Sequence, residues 1–171
     1  METEAFVNPS IEMSRETLKN IEITDEDKER FFKSMLADKP FEDTVSFFDG
    51  QLKLRFRSMT VKENNDVVGQ ITADRENGVA AENDAYMITI STYRLALSLI
   101  SVDDQPYSTV TKDNFQAFTE KDSYILARAR PMLDWGTARL SVFLDAFQMF
   151  EAKVLKLTTE VQSKNFWKAS A

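Results

Sequence analysis

A mainly helical α+β domain is the fold class this 171-residue sequence predicts, and three observations carry that reading. Leu140, Phe143, Phe147, Phe150, Val154, Leu157 and Val161 fall on the first and fourth places of a seven-residue repeat, the mark of a long amphipathic helix. Leu52, Leu54 and Phe56 alternate with Lys53, Arg55 and Arg57 just after an Asp49-Gly50 pair, the mark of a β-hairpin. Thr24 and Thr60 each precede acidic and then apolar-periodic residues, as helix caps do. The expected architecture is a small antiparallel element of two or three strands, packed with helices and completed by a long C-terminal helix.

In chain order, residues 1–23 read as a polar, weakly patterned arm. Behind Thr24, the acids Asp25, Glu26 and Asp27 suit the positive end of a helix dipole, and Phe31, Phe32, Met35 and Leu36 share one face, so a helix is expected over 25–37 with Pro40 as its stop. The hairpin is expected over 45–57. Thr60 and Glu63 form a capping box for a helix over 61–77, which Gly78 ends in the left-handed conformation that glycine tolerates. A second helical segment over 80–100 carries Ile88, Tyr93, Ala96, Leu97 and Ile100, and residues 101–107 read as a turn. Residues 107–110 are the candidate third strand. Helices are expected over 113–118 and 121–130, and a long one over 131–163, because Pro131 suits a first turn but not a continuous helix. Residues 164–171 form a tail with two large aromatics, Phe166 and Trp167. The whole of 24–163 is expected to be one domain.

Composition excludes several chemistries. The chain has no cysteine and no histidine, which removes thiolate sites, disulfides, the usual general base near neutral pH and the usual zinc ligands. A net charge of −7 with scattered lysines and arginines opposes binding to a phosphate backbone. The four glycines make neither a phosphate-cradling loop nor a dinucleotide fingerprint. Asp103, Asp104 and Asp113 lack the spacing of a calcium loop. No cofactor, metal or catalytic residue is expected, and no apolar stretch has membrane length. A hydrolase using aspartate or glutamate carboxylates is the distant alternative.

What remains is protein binding. The phenylalanine-rich seam is either the domain's own core face, as amphipathic helices usually arrange it, or a partner-facing edge. Further apolar residues off the stripe, Trp135, Val142, Leu144, Met149 and Leu155, let one face fill the core while another meets a partner. Phe143, Phe147, Phe150, Val154, Phe166 and Trp167 are therefore the candidate contact residues. Lys53, Arg55 and Arg57 are candidates for meeting an acidic partner, although such a row also serves simply as a solvated strand face.

Residues 31–57, with Phe-Phe-Lys-Ser-Met-Leu-Ala-Asp-Lys-Pro-Phe-Glu-Asp-Thr and then Asp-Gly-Gln-Leu-Lys-Leu-Arg-Phe-Arg, resemble assembly proteins of tailed bacteriophages. Tail assembly chaperones and baseplate assembly factors often carry a Gly-x-Leu-x-Leu-x-Phe-Arg-x-Leu-Thr strand leading into a capped helix. Gly50 to Thr60 matches that pattern except for Met59 at the usual leucine. The resemblance implies a morphogenesis factor that covers apolar surface on a tail or baseplate component in the host cytoplasm, with homo-oligomers also compatible. Its alternative is a minor structural protein of the neck, tail or baseplate, retained in the virion. The family has no catalytic residue to carry over.

Overall fold

The computed structural model describes residues 20–78 and 83–163. Within them, helices α1 (Asp25–Leu36), α2 (Val61–Glu76), α3 (Asn83–Ser98), α4 (Tyr124–Leu133) and α5 (Thr137–Val161) accompany strands β1 (Glu42–Phe47), β2 (Leu52–Arg57), β3 (Leu99–Val102) and β4 (Gln105–Pro106). The strands form one antiparallel sheet in the order β1-β2-β3-β4, so the fold is α+β and mainly α.

Local chemistry explains the first half of the chain. Thr24 and Thr60 each accept from the backbone three residues on, while Asp27 and Glu63 return a carboxylate to the cap amide, completing two capping boxes. Gly78 follows α2 at φ +71°, as expected of a left-handed stop. In the hairpin, Phe47 pairs with Leu52 and Val45 with Leu54, which places Asp43, Val45, Phe47, Leu52, Leu54 and Phe56 on one face. Thr44, Ser46, Lys53 and Arg55 are exposed on the other.

Helix α5 lies against the inner face. Phe147 and Phe150 approach Phe56 with ring centroids 5.8 and 5.5 Å apart, and Phe150 stacks on Phe41 at 6.3 Å. Phe41 in turn meets Phe31 of α1 edge-on at 5.4 Å. Around this aromatic row Leu54, Leu95, Leu97, Leu99, Met132 and Leu157 are buried.

The sheet has four strands where two or three were expected, and several boundaries also differ from expectation. The third strand is β3, drawn from the last two residues of the expected 80–100 helix and the first two of the expected 101–107 turn, and 107–110 is not a strand. Leu99 to Val102 find free backbone partners along β2, and the pairing continues as the Asp103 amide donates to the Lys53 carbonyl while the Asp103 carboxylate accepts from the Lys53 amide. The expected 113–118 helix is a single 3-10 turn, Phe115–Ala117. Pro131 does not begin the long helix. It lies in the last turn of α4, and the break falls at Asp134 to Gly136 instead, where Trp135 packs on Phe143 at 4.8 Å and on Tyr107 at 6.2 Å.

A buried arginine holds α4 in place. Arg128 donates from Nε to the Ala96 carbonyl at 2.8 Å, from Nη1 to Val110 at 2.9 Å and from Nη2 to Leu99 at 3.0 Å. One guanidinium thereby satisfies carbonyls at the α3–β3 junction and at the segment entering the 3-10 turn, while the Tyr107 hydroxyl donates back to the Arg128 carbonyl at 2.6 Å.

Candidate protein-interaction surface

The phenylalanine seam is core. Phe143, Phe147 and Phe150 are 3, 2 and 2% exposed, and Val154 is partly buried against the same cluster. The expectation of a partner contact at these four residues is corrected: the sheet, α3 and α1 already cover that edge of α5. Phe166 and Trp167 lie outside the described residues, as do residues 1–19 of the expected arm.

The cationic row is largely spent internally. Arg57 makes a two-pronged pair with Glu63 at 3.0 and 2.9 Å, and Lys112 joins the same carboxylate at 2.9 Å. Burial would raise the Glu63 carboxyl, but the bonds from Arg57, the Thr60 amide and Lys112 outweigh it and hold the group at about 2. Arg55 pairs with Glu42 at 2.5 Å, and both Lys53 and Arg55 stand exposed on the strand.

A second ionic cluster, missed in the sequence, joins α1, β1 and α5. Lys153 lies 2.9 Å from Asp27 and 2.6 Å from Asp43, and Arg30 lies 2.8 and 2.9 Å from the same two carboxylates. Here too burial favours the neutral acid, while Lys153, Arg30 and the Thr24 amide hold Asp27 at about 2. The signal was present: Asp43 shares its face of β1 with Val45 and Phe47, so a charged partner had to face it from the packed helix.

These arrangements offer little for bond making. Among the described residues no group of three or more histidine, cysteine, aspartate or glutamate side chains could hold a metal ion. Asp122, on an open depression of about 460 Å³ lined also by Phe118, Lys121 and Arg130, is bonded to Arg130 and held ionised. Burial raises Glu151 despite its bond to Arg94, but that pair lies where α5 meets α3. Burial likewise pushes the Tyr107 phenol up to about 12. No helix among the described residues is long and apolar enough to cross a membrane.

The surface feature that stands out is the tip of the β1–β2 hairpin. Phe48 is 61% exposed and sits at φ +54°, a left-handed conformation that is sterically unfavourable for a bulky residue. Asp49 and Gly50 follow at φ +54° and +84°, and the Gly50 and Gln51 amides close the turn onto the Phe47 and Phe48 carbonyls. Phe48 lies one residue beyond the end of β1, so the turn and not strand alternation sets its direction, and its ring lies beside that of Phe47 with centroids 6.1 Å apart. Elsewhere, Val61 and Val68 are exposed seven residues apart on α2, and Met149 and Leu155 are exposed on α5.

No protein-family model matches the chain, and no curated protein or solved structure matches it either.

Proposed function

We propose that this protein is a tailed-bacteriophage morphogenesis factor, not an enzyme, that binds a tail or baseplate component in the host cytoplasm. The single observation that carries the reading is Phe48, a large aromatic side chain exposed at a hairpin tip in an unfavourable backbone conformation. The resemblance of Gly50 to Thr60 to the strand-and-cap pattern of phage assembly proteins supports the setting. Arg57, Glu63, Lys112, Asp27, Asp43 and Lys153 are engaged in structural ion pairs, which is consistent with recognition through apolar contact. With the α5 seam enclosed, the contact moves to the hairpin tip.

Two measurements test this. Co-expression with the tape-measure and baseplate proteins of the same genome should keep one of them soluble, and Phe48→Asp should abolish that protection while the variant stays folded. Retention of every client by the variant would overturn the hairpin as the contact. Mass spectrometry of purified particles separates a chaperone, which is missing or trace, from a structural adaptor present in fixed copy number.

A further inference from the structure

The two edges of the sheet are unlike. At one edge β4 is two residues long and ends in Pro106, which has no N–H to offer a further strand. At the other, β1 runs for six residues in unbroken register with β2 and without proline. The Ser58 amide donates to the Phe41 carbonyl, so Asp43, Val45 and Phe47 are the residues of β1 that exchange hydrogen bonds with β2. Glu42, Thr44 and Ser46 therefore turn their backbone groups away from the sheet. The Glu42 carbonyl agrees with this sense, since it accepts from Arg30 off the edge at 3.1 Å. Among the described residues nothing bonds to the outward amides and carbonyls of Thr44 and Ser46, whose side chains are exposed and uncharged.

We propose that the free edge of β1 is a dimer interface: two copies of this chain pair there antiparallel, across a two-fold axis at Thr44, and join their four-stranded sheets into one. The spacing of the outward residues selects a second copy and its register. An axis at Thr44 sets Thr44 against Thr44 and Glu42 against Ser46 of the second copy, so every outward residue of β1 gains a strand partner. An axis one residue earlier would oppose Asp43 to Asp43, and one residue later would leave Glu42 facing the turn. Charge is complementary in the same register. Ser46 lies opposite Lys53 on β2, so a row across the joined sheet reads Lys53, Ser46 and then Glu42 of the second copy. Lys53 is exposed and makes no ion pair among the described residues. Lys53 and that Glu42 are two strand spacings apart, about 10 Å, which the two extended side chains bridge over a serine. Because the pairing is antiparallel, the two hairpin tips point to opposite ends of the joined sheet, and the interface is independent of the reading of Phe48.

The test uses the full chain. Sedimentation equilibrium should show a monomer–dimer equilibrium with a Kd on the order of 10 µM, and a chain that stays monomeric up to about 1 mM would overturn the proposal. In Thr44→Pro the lost amide is one that faces away from β2, so the circular dichroism spectrum should be kept while dimerisation weakens at least about tenfold. A folded proline variant with an unchanged Kd would place the contact elsewhere and sink the idea. Cross-linking reads the register separately. The chain lacks cysteine, and an axis at Thr44 brings its Cα to about 5.5 Å from its own copy, within disulfide reach. Thr44→Cys should therefore form covalent dimers under mild oxidation at least about tenfold faster than Ser46→Cys, whose copies lie well beyond that reach. Equal rates, or faster linking at Ser46, would contradict the pairing. Client protection that depends on Phe48 is measured on its own, so failure here leaves the hairpin reading intact.

Discussion

Phe150 of α5 stacks on Phe41, the rings 6.3 Å apart and 7° from parallel, and this contact joins the long helix to the residue that leads into β1. Both side chains are buried, so the pair belongs to the core. Phe150→Ala should cost about 3–5 kcal/mol of folding stability, read as a lower urea midpoint with an unchanged slope. Phe147→Asp with Phe150→Asp should not fold at all. A folded, monomeric double variant would return the seam to the surface.

Acid should destabilise the protein through two carboxylates. Asp27 and Glu63 are held at about 2 in the folded protein, below their ordinary values of 3.8 and 4.5. The unfolded chain therefore binds more protons in that interval, and the stability these groups contribute is complete above it and lost as pH falls toward 2. Circular dichroism at fixed urea should show the midpoint dropping between about pH 4.5 and 2. Glu63→Gln should lose on the order of 2 kcal/mol at neutral pH and flatten that slope.

Arg128 cannot be replaced conservatively. Its three carbonyl acceptors lie on two separate segments, and an ammonium group is a single point that cannot span them as a planar fork does. Arg128→Lys should cost on the order of 3 kcal/mol, and Arg128→Met a similar amount, because each leaves buried carbonyls unsatisfied. Thermal melts of the two variants check this, and a loss of less than about 1 kcal/mol for lysine would contradict it.

Phe48 separates stability from binding. Phe48→Gly relieves a left-handed backbone that disfavours side chains, so the fold should gain roughly 1 kcal/mol while client protection is lost. A stabilised variant that still protects its client would show that the ring is not the anchor.

The caps, the hairpin and the fold class were legible because their causes are local. Thr24 with Asp27, Thr60 with Glu63, and the alternation from Leu52 to Arg57 each act within a few residues. The candidate site was not legible in the same way. The seam on α5 has one appearance in the sequence whether it meets its own sheet or another protein, and the same periodicity serves both. The exposure of Phe48 was not legible either, because the residue lies in the turn beyond β1, where the two-residue alternation of a strand does not set the direction of a side chain.

By itself the sequence determined a mainly helical domain with a capped first half, an Asp-Gly hairpin and a long amphipathic last helix, since backbone capping, turn dihedrals and side-chain periodicity are settled by near neighbours. Tertiary structure alone decided that Leu99 and Ile100 leave the expected helix and, with Ser101 and Val102, pair along the edge of β2, that Trp135 rather than Pro131 sets the break before α5, and that the phenylalanine seam is enclosed. Each of those outcomes depends on a partner distant in the chain, and only the assembled core shows which hydrogen bonds and apolar surfaces are within reach.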